Sequence, residues 1–212
     1  MLPALKENIS IMEQLNTQLF LWLNATPDSP HWLINFATIL AKDVIGIVPL
    51  LVVGLWLWSP KQCLDSRREL VLKTATALLY ATLFSFVIGV VFPHPRPFAI
   101  GLGYHWLNHS ADTSFPSDHG TFIFTFSLAF LFWHRAWSGI ALLTIGVLIA
   151  WSRIYLGVHW PLDMVGGLLV GMIGCLTAEL GWTFYGKALL TFAHKVYRQL
   201  FALPIRWGWT QH

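Results

Sequence analysis

Two arginines, two histidines, a serine and an aspartate sit in three short stretches: Pro95-Arg96-Pro97, Pro116-Ser117-Asp118-His119-Gly120, and Ser152-Arg153 running through His159 to Asp163. Arginine forks onto phosphate oxygens through paired N–H groups. The Ser117 to Gly120 stretch opens an apolar run, so its free amides and the helix dipole favour an anion. The four-residue step from His159 to Asp163 lets a carboxylate reach an imidazole, which fixes the ring tautomer and makes the other ring nitrogen more nucleophilic. His159 is therefore the candidate nucleophile, Asp163 its orienter, and His119, on a separate helix, the candidate proton donor to a leaving group. Taken singly, each residue has an ordinary role: a histidine as an interfacial hydrogen-bond partner, Ser117 as an N-cap, Asp163 as a charge complement to a helix start. Gathered together they form an oxyanion site with proton-transfer groups beside it, and a phosphate fits that inventory.

Those residues must be positioned by apolar elements. The chain has 212 residues, of which 56% are hydrophobic and only 11% charged, with twelve tryptophans. Its mean hydropathy is +0.60. A soluble domain carries about 25% charged residues, and runs of about 20 apolar residues recur here between short polar breaks, so the chain reads as a multi-span helical membrane protein. Disorder, collagen, a disulfide scaffold and nucleic-acid binding are excluded. The net charge of +3 is too small and dispersed for a nucleic-acid partner. Cys63 and Cys175 read as free thiols.

Ile9, Met12, Leu15, Leu19 and Leu23 recur at helical spacing and predict an N-terminal amphipathic helix that spans the membrane or lies along its interface. Glu7, Asn8, Glu13, Gln14 and Asn16 interrupt any signal-peptide core after Lys6. Apolar runs from Trp32 to Trp58 and from Leu70 to Phe92 predict spans, separated by a charged turn from Ser59 to Glu69. Pro93, Pro95 and Pro97 stop the second, and the stretch from His94 to Phe115 is a long loop. Thr121 to Phe132 and Ile140 to Trp151 predict a helical hairpin. A last span over about Pro161 to Trp182 carries Gly166, Gly167, Gly171 and Gly174, which let helices approach closely in lipid. The fold class is thus all-α and integral to the membrane, a bundle of about six helices: five spans or near-spans plus the N-terminal helix. It reads as one domain over residues 1–212, with an amphipathic segment over 1–30 and a basic tail over 183–212.

Lys61, Arg67, Arg68, Lys73, Arg135, Lys187, Lys195, Arg198 and Arg206, nine of the thirteen Lys and Arg, fall on one side of the spans. That side is expected to be cytoplasmic. The three chemistry-bearing stretches then share the outer face, where Arg96 and Arg153 are exceptions that need a reason. His94, His105 and His109 read as loop residues, since their spacing matches no metal site. Trp56, Trp58, Trp133 and Trp137 read as an interfacial belt.

The motif residues resemble the type 2 phosphatidic acid phosphatases, related in active-site pattern to the vanadium haloperoxidases. That family's third motif, Ser-Arg-x5-His-x3-Asp, is matched completely by Ser152, Arg153, His159 and Asp163. The second, usually Pro-Ser-Gly-His, appears as Pro116-Ser117-Asp118-His119, with aspartate in the glycine's place. The first, Lys-x6-Arg-Pro, keeps Arg96 and Pro97, but Gly89 stands at the lysine position. The resemblance covers roughly residues 30–182, and the form of the Phe92 to Phe98 and Ser114 to Thr121 stretches is most similar to the family's enterobacterial undecaprenyl-diphosphatases.

What the resemblance implies is a metal-free phosphatase without a cofactor, working through a phosphohistidine. His159 would be the nucleophile, Asp163 its partner and His119 the acid and then the base. Arg96, Ser117, Arg153 and the backbone of Asp118 to Gly120 would cradle the phosphate. The implied substrate is a polyprenyl diphosphate, hydrolysed at the periplasmic face of a bacterial inner membrane. Other lipid phosphates, as substrates of a phosphatase or a phosphotransferase, would use the same residues; a transporter is the reading from a different class. Lys42 is expected within about one turn of the outer interface, measured back about 20 residues from Trp58. There it would partly replace the cation absent at Gly89, with Asp43 facing another partner such as an arginine; the plainer alternative is that Lys42 snorkels to headgroups.

Overall fold

An apolar run without water around it must satisfy its own backbone, and in this chain it does so as helix. The computed structural model describes residues 2–58, 61–207 and 209, and no strand occurs among them. The side chains of Glu7, Asn8, Ile9 and Lys61, with Ser59, lie outside the described residues. The helices are α1 (Leu2–Leu23), α2 (His31–Lys42), α3 (Ile47–Leu57), α4 (Leu64–Val91), α5 (Asp118–Trp133), α6 (Ala136–Tyr155), α7 (Pro161–Leu200) and the short α8 (Ala202–Arg206). Four stretches are long and apolar enough to cross a membrane: His31–Leu57, Leu64–Val91, Ala136–Tyr155 and Pro161–Leu200.

Several expectations are corrected in detail. The run from Trp32 to Trp58 is not one regular helix: it breaks after Lys42 and passes through a 3-10 turn, Val44–Gly46, before α3 begins. The break has a local cause. The Gly46 amide bonds the Asp43 carbonyl at 3.0 Å, closing a tighter turn than the α-helix allows. Helix α4 starts at Leu64, inside the expected charged turn, and α7 runs unbroken for 40 residues through what reads as a tail. No proline lies between Met164 and Leu200 to stop it.

Helices α4, α5, α6 and α7 form the centre, and glycines set how closely they meet. A Cβ at position 167 would lie 2.7 Å from the Thr121 amide nitrogen, and one at 171 would lie 2.9 Å from that of Thr125, so α7 rests directly on the backbone of α5. Gly174 does the same on α4, where a Cβ would come 2.7 Å from Ala81 Cβ. Gly139 lies against the backbone of Leu131, which lets the α5–α6 hairpin turn over His134 and Arg135 alone. The buried hydroxyls of Thr125 and Ser127 return to carbonyls of their own helix, at 2.6 and 2.7 Å from Thr121 and Ile123. These contacts hold in register the ends of four helices that carry the candidate site.

The N-terminal helix joins at that same end. Asn16 accepts a 3.0 Å hydrogen bond from the Leu162 amide at the start of α7, the fully buried Phe20 packs on Trp160 at 5.2 Å, and Asn24 donates to the carbonyls of Tyr104 and Tyr155. Helix α2 belongs there too, because Ile34, Ala37 and Ala41 pack with Leu107, Leu156 and Val158. At the opposite end Arg68 is buried over Tyr197 and beneath Trp56, and Lys73 pairs with Glu179 at 2.6 Å beside Trp133. Trp58 and Trp137 are exposed at that end, as a belt would be. Cys63 is exposed, Cys175 is buried, and both are free.

Candidate active site

Four helix ends and one loop converge on His159. Helix α6 delivers Ser152 and Arg153 in its last turn, and the chain then reverses at Gly157, whose φ of +81° is open to glycine without strain. His159 follows in a bend and Trp160 in extended backbone before α7 begins at Pro161. The contact between His159 and Asp163 is therefore not made across a turn of helix. Asp163 is the third residue of α7, and its Oδ2 accepts from the Trp160 amide at 2.8 Å in a capping arrangement, which places the same oxygen 3.1 Å from His159 Nδ1.

These contacts select one tautomer. A carboxylate at Nδ1 takes the Nδ1–H, and Arg96 Nη1, which can only donate, points at Nε2 from 2.9 Å, so Nε2 carries the lone pair. Ser117 Oγ stands 3.4 Å from the same nitrogen. His159 is 1% exposed, and burial, followed by the charges of Arg96 and Arg153, pushes its pKa well below the usual histidine value. The ring is thus neutral at physiological pH, with its free nitrogen facing the Arg96 guanidinium.

Arg153 carries the largest unmet demand. It is 2% exposed, its Nη1 lies 3.5 Å from the Ala41 carbonyl, and its Nε and Nη2 have no hydrogen-bond partner among the described residues. A buried cation with idle donors is costly unless an anion completes it. Arg96, also 2% exposed, is held on three sides: Nη1 donates to the Val158 carbonyl at 3.0 Å, Nε and Nη2 reach Asp112 Oδ1 at 2.8 and 2.7 Å, and Nη2 lies 3.3 Å from the Thr113 carbonyl.

Helix α5 points its first turn into the cluster. Ser117 caps it, with Oγ accepting from the Gly120 amide at 3.2 Å, and the Ser117 amide donates to the Asp163 carbonyl at 3.1 Å. The Gly120 N–H is engaged by the cap, while the amides of Asp118 and His119 have no acceptor among the described residues. The Asp118 side chain is exposed. His119 is half-buried, bonded to nothing among the described residues, and lines an apolar groove of about 400 Å³ with Ile45, Gly46, Pro49 and Phe122.

Lys42 is not brought into the cluster. It is exposed on the last turn of α2 without an ion pair or side-chain hydrogen bond, and Asp43, also exposed, pairs with no arginine among the described residues. The carbonyl of the neighbouring Ala41 lies 3.5 Å from Arg153 Nη1, so the segment passes beside the cluster.

Sequence reasoning missed a set of loop residues. Ser114, fully buried, donates to Asp163 Oδ2 and lies 3.4 Å from His159 Nδ1. His109 sits edge-on to His159 with ring centres 6.1 Å apart, and Asp112 pairs with Arg96 while accepting from Ser110 Oγ at 2.6 Å. Burial raises the Asp112 carboxyl, but the Ser110 hydroxyl and Arg96 outweigh it and hold it below the usual carboxylate range. Loop residues follow no periodicity, so only the fold brings them to the site. His94 and His105 remain outside it, the first edge-on to Trp160 and the second stacked on Phe98. No group of three metal-ligating side chains occurs among the described residues.

Comparison with known proteins agrees with this geometry. Residues 70–188 match the PAP2 superfamily, a stretch that holds every residue of the cluster from Arg96 to Asp163. The chain is 56% identical over 201 residues, 95% of its own length and all of the relative, to the "Putative undecaprenyl-diphosphatase YbjG" of Escherichia coli (strain K12). It is 30% identical over 159 residues, 75% of this chain and 80% of the relative, to the undecaprenyl-diphosphatase BcrC of Bacillus subtilis (strain 168). The crystal structure of Aquifex aeolicus LpxE superposes with a TM-score of 0.65 at 27% identity, over 78% of this chain and 94% of that one. With its site-bearing helices inside the matched stretch and such likeness along nearly its whole length, the chain belongs to the PAP2 superfamily.

Proposed function

We propose that this protein hydrolyses undecaprenyl diphosphate to undecaprenyl phosphate and inorganic phosphate at the periplasmic face of a bacterial inner membrane, recycling the lipid carrier of cell-wall synthesis. The observation that carries the phosphate reading is the buried Arg153, whose Nε and Nη2 lack an acceptor among the described residues and whose charge acts on His159. The lipid part of the reading rests on the apolar groove beside His119 and on the names of the two relatives.

The route follows from the atoms. The Nε2 lone pair of His159 attacks the terminal phosphorus, an N–P bond forms, and the bond from phosphorus to the bridging oxygen breaks. That oxygen leaves on undecaprenyl phosphate and takes a proton from His119. His159 keeps its Nδ1–H, and Asp163 stabilises the positive charge that the ring acquires. Water then gives a proton to His119 and attacks phosphorus, the P–N bond breaks, and orthophosphate departs with His159 restored. Arg96, Arg153 and the amides of Asp118 and His119 would hold the three equatorial oxygens, where charge builds in the transition state.

Purified protein in detergent, given undecaprenyl diphosphate and a chelator, is expected to release orthophosphate, and His159→Ala is expected to release none while remaining folded. Strict dependence on magnesium would sink the metal-free route. Faster turnover of phosphatidate or phosphatidylglycerophosphate than of the polyprenyl substrate would move the function to those lipids.

A further inference from the structure

Glycine at position 89 leaves a gap in the charge of the first motif, and the structure fills that space with something else. A Cβ on Gly89 would lie 3.2 Å from Thr113 Cγ2 and 3.4 Å from the Phe115 carbonyl, so the loop from Ser110 to Phe115 is seated on α4 at the place a longer side chain would occupy. The Ser114 amide fastens it from the other side, donating to the His94 carbonyl at 2.7 Å. This seat presents Asp112 to Arg96, and Asp112 meets the guanidinium along its Nε–Nη2 edge, at 2.8 and 2.7 Å. The opposite corner, Nη1, is then left pointing at His159 Nε2.

A free arginine side chain has several rotatable bonds and can present its fork in many directions. Holding one edge of a planar guanidinium fixes the direction of the remaining N–H groups. Ser110 in turn holds Asp112, donating to its second oxygen at 2.6 Å. The carboxylate itself is turned toward solvent, with a side-chain exposure of 57%, so it adds nothing to the packing of the core.

Building on the phosphatase reading above, we infer that Asp112, carried on a loop seated against Gly89, is the positioning residue that aims Arg96 at the phosphate, in the place of the motif lysine. Asp112 does not touch the reacting atoms. It acts through Arg96, and that dependence can be measured.

The experiment is a double-mutant cycle on the full-length protein: wild type, Asp112→Asn, Arg96→Ala and the double variant, assayed for kcat and KM on undecaprenyl diphosphate. Asp112→Asn is expected to lower kcat/KM at least tenfold when Arg96 is present and less than twofold when it is alanine, with Asp112→Glu recovering part of the loss. A purely structural defect would persist in the Arg96→Ala background, so equal losses in both would overturn the proposal, as would an Asp112→Asn protein with wild-type kinetics. The affinity of the same four proteins for orthophosphate, read by calorimetry, is expected to show the same coupling. Coupling in that measurement, with no turnover of the lipid by wild type, would keep the role of Asp112 and overturn the reading of the reaction. Gly89→Lys is expected to reduce kcat/KM, because the side chain displaces the loop; a gain would show that the site merely lacks a cation and would end the inference.

Discussion

His159 illustrates how burial and hydrogen bonding divide the work on one side chain. Burial removes the protonated form, and the partners at the two ring nitrogens decide which nitrogen is free. The consequence for pH has a definite sign. A histidine whose pKa is lowered in the folded state stays a neutral nucleophile below the usual value of about 6.5. The acidic limb of the kcat/KM profile is therefore expected below pH 6.5. The same shift makes the unfolded chain bind more protons than the folded one, so stability contributed by the neutral ring is present above about pH 6.5 and declines as the pH falls below it. An acidic limb at pH 7 or higher would contradict the assignment of His159. Ser114 offers a second test, because it donates to the carboxylate oxygen that orients the ring. Ser114→Ala is expected to cost about 1.5 to 3 kcal/mol, a charge-assisted hydrogen bond, in transition-state stabilisation, measured as roughly a 10- to 150-fold drop in kcat/KM. His119 bears on the leaving group alone. His119→Ala is expected to lose less on a diphosphate than on a phosphate monoester, because a lipid phosphate is a weaker base than an alkoxide and has less need of a proton.

Among the elements, the glycines of α7 decide how near the helices come and so how near the two halves of the site lie. Gly167 faces the backbone of Gly120 and Thr121, one turn above the Ser117 cap. Gly167→Ala must push α5 away, an overpacking that costs about 1–3 kcal/mol and shifts Ser117 and His119 relative to His159. A lower Tm together with lower kcat is expected. Gly54→Ala in α3 is the control, since a Cβ there meets nothing within 4 Å and the helix gains about 0.5–1 kcal/mol from alanine. The spacing of these glycines is carried by a regular helix, and that of His159 and Asp163 by a short fixed interval across the start of α7, so both were legible in the sequence. Lys42, Asp112 and Ser114 were not. Lys42 stands exposed at the end of α2, where the helix gives way to a 3-10 turn that no periodicity announces; Asp112 and Ser114 reach the site because a loop is folded back onto α4.

The whole molecule is asymmetric along the axis of its helices, and α7 makes the asymmetry measurable. At 40 residues it is about 60 Å long, against a hydrocarbon layer of roughly 30 Å. Its first turn holds Asp163 in the site, so about half of the helix must extend beyond the far boundary, and that half carries Lys187, Lys195 and Arg198. Trp56, Arg68 and Tyr197 tie the same region to α3 and α4. The loop at the other end has Arg96 as its sole Lys or Arg between residues 92 and 134, and that arginine is taken up by the site. On the periplasmic reading proposed above, the positive-inside rule is expected to set the basic end in the cytoplasm and the site outside. The protein supplies one of its own probes, because Cys63 is exposed at the basic end while Cys175 is buried among the helices. Asn108, exposed in the site-end loop, supplies the other as Asn108→Cys in a Cys63→Ser background. In intact cells a membrane-impermeant maleimide is expected to label Asn108→Cys and to leave the native Cys63 unlabelled until the membrane is opened. The reverse pattern would put the site in the cytoplasm and would exclude hydrolysis at the periplasmic face.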